Sequence, residues 1–129
     1  MYVFGVVLES PFEEAVARVK EALGAEKLGL VSEVDVGGIV RTKLGEDIGG
    51  YLILGACAPG LARRVIQAQP AAGTLLPCNV VIRAINAAST AVDFMDPVSV
   101  LALARTPEID AVAAEARAIL ERARDRLSA

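Results

Sequence analysis

The sequence predicts an α+β domain built on a sheet of about five strands, at least part of it antiparallel. Five short apolar runs have the length of strands, and segments with helical spacing or turns separate them. Two of these runs, in "CNVVIRAI" and "TAVDFMD", are joined only by "NAAS", which predicts an antiparallel hairpin. The length of 129 residues fits a single domain, residues 1–129, with one core.

The first third of the chain predicts a strand, a helix and a second strand. The opening apolar run, residues 2–9, is too short and lacks the basic start of a signal peptide, so it predicts a strand. "SPFEEAVARVKEALG" predicts a helix over residues 11–23, with Ser10 as its N-cap and Glu13 completing a capping box. "EKLGLVSEV" then predicts the second strand.

The segment "DVGGIVRTKLG" allows two interpretations. It is predicted to form a short helix that Asp35 caps, that Gly45 ends, and that buries Val36, Val40 and Leu44. A strand through residues 39–40 competes with this helix, because two glycines and several β-branched residues weaken helical propensity.

The second half predicts a central strand, the hairpin and further helices. "YLILGAC" is apolar throughout, which is typical of a strand buried on both faces, and Pro59 fits the first turn of the helix that follows. "QPAAGTLLP" is a predicted loop. After the hairpin, Asp96 is expected to cap a short helix beginning at Pro97, and the last helix is expected to begin at Pro107.

Composition excludes several classes of function. The net charge is -3 with mixed signs, which argues against nucleic-acid binding, since that binding depends on neutralising phosphates. The absence of histidine excludes a Ser-His-Asp triad, a Cys-His dyad and histidine-containing zinc sites. No apolar run reaches the roughly 18 residues of a membrane span. We therefore expect a cytoplasmic protein, no nucleic-acid or membrane partner, and no conventional hydrolase or transferase.

The two cysteines are the best functional clue. Cys57 ends one predicted strand and Cys78 begins the next, so antiparallel pairing would bring both thiols to one end of the sheet. Cys57 also precedes the helix that starts at Pro59, where the helix dipole lowers the pKa of a thiol, and Arg63 or Arg64 would add to this if turned inward. The pair then resembles an attacking thiol and its partner, or two ligands for a soft metal. Inert packing is the competing interpretation, because cysteine is among the most buried residue types.

The stretch "YLILGACAPGLARRVIQAQPAAGTLLPCNVVIR", followed by "DFMDP" and preceded by "VDVGGIVRTKLG", resembles a known family. This family is the domain of unknown function numbered 302, small bacterial and archaeal proteins without an established activity. The resemblance implies a fold similar to that of the TATA-binding protein, with helices against one side of an antiparallel sheet, and a homodimer. Ala58 departs from the family pattern, which has Asn there. The motif positions that carry over are Cys57, Pro59, Pro77, Cys78, Asn79, Asp96 and Pro97.

Two functional hypotheses follow. In the first, Cys57 and Cys78 form a thiol site that carries sulfur, senses redox state or holds a soft metal, with Pro59, Pro77, Asn79 and Asp96 as neighbouring candidates. In the second, the protein is a non-catalytic homodimeric module that binds a protein partner or a small apolar ligand, the ligand in a pocket near Leu75, Leu76 and Val80. The sequence identifies no cofactor. Because 54% of the residues are hydrophobic, a dimer joined through an uncovered sheet face or edge is expected.

Overall fold

The computed structural model describes residues 1–128, which form five strands and five α-helices. In chain order these are β1 (Val3–Leu8), α1 (Phe12–Ala25), β2 (Gly29–Asp35), α2 (Val36–Leu44), β3 (Tyr51–Cys57), α3 (Pro59–Ala68), β4 (Cys78–Ala84), β5 (Thr90–Met95), α4 (Pro97–Leu101) and α5 (Pro107–Ser128). Short 3₁₀ helices follow α3 at Pro70–Leu75 and α4 at Ala102–Ala104.

The strands form one open antiparallel sheet in the order β1-β5-β4-β3-β2. This confirms the predicted α+β fold with a single five-stranded sheet. The hairpin joining β4 and β5 is closed by Asn86, whose side-chain oxygen accepts hydrogen bonds from the backbone N–H groups of Ala88 and Ser89. No helix within residues 1–128 has the length and apolar character needed to cross a membrane.

The core lies between one face of the sheet and helices α1 and α5. Alternate residues of the three inner strands are buried there against the helices, because successive side chains of a strand point to opposite faces. These residues are Leu52, Leu54, Val80, Ile82, Val92 and Phe94. On the other face Ile53 and Val81 remain half-buried. The expectation that β3 is buried on both faces was therefore wrong, since no helix covers its second face.

The start of α1 differs from the prediction. Pro11, not Ser10, occupies the N-cap position, and no side chain caps the helix. The Ser10 hydroxyl instead accepts a hydrogen bond from the Arg18 guanidinium at 3.2 Å. Arg18 also donates to the backbone oxygen of Leu127 at 2.8 Å, so this side chain ties α1 to the end of α5.

The helical interpretation of residues 35–45 is confirmed. The Asp35 carboxylate accepts a hydrogen bond from the Gly38 N–H at 2.9 Å, and Gly45 ends α2 at a φ of 68°, a left-handed conformation that favours glycine. The three apolar positions were expected to be buried, but Val36 and Val40 are only half-buried and Leu44 is 67% exposed. The helix is short and lies close to the edge strand β2, so it buries none of the three fully.

Candidate thiol pocket

Antiparallel pairing of β3 and β4 brings the two cysteines together. Ala56 lies directly opposite Cys78, so Cys57 is one residue removed from an opposed pair, for which the Cα separation is about 5 Å. Both thiols are free and neither is fully exposed. Both cysteines therefore lie at the same end of the sheet.

Gly55 allows the segment just before Cys78 to pack closely against β3. A Cβ atom at this position would lie 2.7 Å from the Pro77 ring and would also collide with the Ser32 hydroxyl. Only glycine therefore lets Pro77 lie directly against β3. This close approach fixes where β4 begins, and with it the position of the Cys78 thiol.

Both cysteines line an apolar pocket between the end of the sheet, α3 and α5. The cavity volume of this pocket is about 40 Å³. None of the side chains that line it is charged. They are Leu28, Ala56, Cys57, Ala58, Leu61, Ala62, Val65, Leu76, Pro77, Cys78, Leu101, Val112, Ala116, Ile119 and Leu120.

The pocket changes the chemistry of Cys78. Burial among apolar side chains raises the pKa of its thiol from 9.0 to about 11, because the charged thiolate is poorly solvated there, and the nearby Cys57 adds to the shift. Cys78 is therefore a neutral thiol at physiological pH.

The arginines that follow Cys57 do not turn toward it. Arg64 instead pairs with Glu115 at 2.7 Å and with Glu108 at 3.2 Å, both on α5, and Arg63 is exposed. The start of α3 is therefore the electropositive feature next to Cys57, through the backbone N–H groups of its first turn.

The other candidate residues from the sequence are dispersed. Pro77 lines the pocket, whereas Pro59 forms the first turn of α3. Asn79 is exposed and lies opposite Gly55. Asp96 is buried, but it accepts a hydrogen bond from the Val98 N–H and pairs with Arg117, so it caps α4 and holds α5. Only Cys57, Pro77 and Cys78 share the pocket.

The apolar walls of the pocket were only partly foreseen. Of the three residues expected around an apolar pocket, Leu76 lines it, Leu75 packs in the adjoining core cluster and Val80 is buried in the main core. Leu61, Val65 and Ile119 complete the walls. The spacing of apolar residues within a single helix does not show which helices meet over the end of a sheet.

A metal could draw on few ligands here. Within residues 1–128 no group of three or more histidine, cysteine, aspartate or glutamate side chains is placed to hold an ion. A soft ion in the pocket would thus rely on the two thiols alone.

Comparison with known proteins places the chain in a family. No curated protein matches it. A crystal structure of the "uncharacterized conserved protein DUF302 from Bacillus stearothermophilus" is similar over 98% of both chains, with a TM-score of 0.89 and 24% sequence identity, which shows a shared fold. The family model for the domain of unknown function DUF302 matches residues 4–127. The protein therefore belongs to the DUF302 family.

Proposed function

We propose that this protein is a small sulfur carrier, in which Cys57 holds one sulfane sulfur atom inside the apolar pocket and Cys78 is its neutral neighbour. The supporting observation is that two free thiols share an uncharged pocket of about 40 Å³. A site for one water needs about 10–15 Å³ by the same measure, whereas ordinary ligand pockets have volumes of roughly 300–1,000 Å³. The space suits one or two added atoms better than an organic ligand.

The transfer step needs no oxidant or reductant. The Cys57 thiolate attacks the outer sulfur of a low-molecular persulfide, R–S–SH, so the S–S bond of the donor breaks and a new S–S bond forms at Cys57. The departing R–S⁻ takes up the proton that Cys57 gave up. The products are R–SH and Cys57–S–SH, with the same atoms and electrons as the reactants. The apolar walls then keep water and charged nucleophiles from the carried sulfur.

The raised pKa of Cys78 favours retention of the sulfane sulfur on Cys57 over its release as hydrosulfide. A Cys78 thiolate would attack the Cys57 sulfur, expel hydrosulfide and leave a disulfide. Because the attacking species in such exchange is the thiolate, a pKa of about 11 makes this attack slow at neutral pH. Cys78 therefore protects the persulfide by staying protonated. A reducing compartment such as the cytoplasm would keep both thiols free between cycles.

The first prediction is that Cys57 alone is required for loading. Incubation with a low-molecular persulfide should add the mass of one sulfur atom to the wild-type protein and to Cys78→Ser, and nothing to Cys57→Ser. Native mass spectrometry measures this, and the two serine variants are matched controls for each other. Loading of Cys57→Ser, or no loading of the wild type, would contradict the proposal.

The same spectra test two competing occupants. Copper(I) bound by both thiolates would replace two protons and would require Cys78 to ionise, which its raised pKa opposes. An apolar organic ligand would appear as a co-purifying mass that survives in Cys57→Ser. Either result would replace the sulfur-carrier proposal.

A second candidate function is assembly, which the uncovered face of the sheet favours. Val7 and Val34 lie there at 53% and 41% exposure, beside the half-buried Val81. Arg83 and Asp93 form an ion pair on the same face at 2.8 Å. Pairing this face with a second copy across a two-fold axis would cover apolar side chains and allow the two charges to exchange partners. A specific interface of this kind buries roughly 800 Å² per partner.

The second prediction is therefore a dimeric mass for the wild type in light scattering at micromolar concentration. Val81→Lys, which places a charge at the centre of the face, should shift the protein to the monomer. Leu103→Lys is the control, because Leu103 is 71% exposed and lies outside the sheet. A monomeric wild type would rule out the dimer.

A further inference from the structure

The space beside the two thiols is small compared with a sulfur donor that carries an organic group. Its free volume of about 40 Å³ accepts an added atom but not a donor carrying an organic group. One wall consists of Leu61, Ala62 and Val65, all on α3. Both cysteines keep a partly exposed surface. A movement of α3 away from them would open the pocket further, to a donor that carries an organic group.

The segment over the pocket is held mainly by one neighbour. The helix α3 packs chiefly against α5 and the 3₁₀ helix after it, and it has no extensive contact with the sheet. Among the residues of α3 only Val65 is fully buried, in a cluster with Val112 of α5. The contact with α5 is therefore one main support of α3, and the buried Ala72 of the following 3₁₀ helix adds to the same cluster.

An ion-pair network reinforces that contact at the surface. Arg64 of α3 donates from Nε to Glu108 and from a terminal nitrogen to Glu115, at 3.2 Å and 2.7 Å. The two glutamates are seven residues apart on α5, so they lie on the same side of the helix, with Val112 between them. Arg64 thus spans the contact where α3 meets α5 beside the pocket.

The geometry points to residues 59–75 as a lid over the two thiols, with Arg64 as the latch that holds it on α5. This inference rests on the proposed function for its purpose, since it explains how a donor enters the pocket. The latch regulates access through charge. Raised salt screens it, and a partner that offers Arg64 a different carboxylate would release it. Arg64 is a positioning residue and takes no part in the chemistry at sulfur.

The third prediction tests the lid with iodoacetamide, a neutral reagent whose own reactivity depends little on salt. Arg64→Met should raise the alkylation rate of Cys57 about two- to fivefold at low salt, the range expected for loss of exposed ion pairs. The wild-type rate should rise with salt toward that of the variant, while the Arg64→Met rate should stay constant. Arg122→Met is the matched control, because it removes an ion pair that joins α5 to Glu26 at the end of α1, and neither of these residues lines the pocket.

Two outcomes would overturn the lid. One is an equal rate in wild type and Arg64→Met, and the other is an equal acceleration in Arg122→Met. If Arg64→Met does not fold, Glu115→Gln breaks the shorter pair, and the salt titration of the wild type needs no variant. Because alkylation involves no sulfur transfer, a response to Arg64 without persulfide loading would keep the lid and reject the sulfur carrier. Persulfide loading with no effect of Arg64→Met on the alkylation rate would keep the sulfur carrier and reject the lid.

Discussion

Between pH 8 and pH 11 the wild-type protein should lose about 2 kcal/mol more of its free energy of unfolding than a Cys78→Ala variant loses. The folded protein holds the pKa of Cys78 at about 11, whereas the ordinary value, which applies to the unfolded chain, is 9.0. Below pH 9 the thiol is protonated in both states, so its contribution to stability is fully present. As the pH rises from 9 toward 11 the unfolded chain ionises first, which favours unfolding, and the contribution is lost.

Urea titrations of both proteins across this pH range measure the effect. Tyrosine and lysine side chains also titrate there, but they are common to the two proteins and cancel in the difference. The expected magnitude follows from the interval between the two pKa values, at about 1.4 kcal/mol per pH unit. Parallel pH profiles would show that the Cys78 thiol is as well solvated in the folded protein as in the unfolded chain. They would contradict the burial of this thiol among apolar side chains.

Much of the fold could be predicted because local signals agreed with one another. The hairpin after Cys78 followed from two apolar runs and a four-residue connection, and the structure pairs them as β4 and β5. The helix after Asp35 followed from a capping residue and a terminating glycine, although propensity argued for a strand. In the hairpin the turn and the two strands agreed, whereas in the helix the cap and the terminating glycine outweighed the average preference of the segment.

The prediction at Ser10 failed for a non-local reason. "SPFE" satisfies the sequence pattern of a capping box, yet the Ser10 hydroxyl accepts a hydrogen bond from Arg18, which also reaches Leu127 at the far end of the chain. A contact between residues 109 positions apart has no local signature. The tertiary arrangement of α1 and α5 therefore decided the role of this side chain.

The same distinction explains the candidate site. Adjacency of Cys57 and Cys78 could be predicted, because antiparallel strands bring the end of one beside the start of the next. The walls of the pocket could not be predicted, since they depend on how α3 and α5 pack over that end of the sheet. Asp96 shows that a position of the family motif need not belong to the pocket, because it caps α4 and pairs with Arg117.

Alkylation of each cysteine in the native protein, followed as a function of pH, tests the central claim most directly. The claim is that Cys57 is the reactive thiol of a shared apolar pocket and that Cys78 is its neutral partner. At pH 8 a thiol with a pKa of about 11 has about a hundredfold less thiolate than one with the ordinary value of 9.0. The higher intrinsic nucleophilicity of the more basic thiolate offsets about tenfold of this difference.

We therefore expect Cys78 to react with iodoacetamide about tenfold more slowly in the native protein than in the denatured protein at pH 8, with a native rate that rises about tenfold per pH unit up to pH 10. We expect Cys57 to be the faster site in the native protein. Mass spectrometry of the digested protein reads the two sites separately, and the denatured protein, in which both thiols are exposed, gives the reference rates. Equal native rates at the two cysteines, or a native protein in which neither thiol reacts, would contradict the account and would leave the pair as core packing.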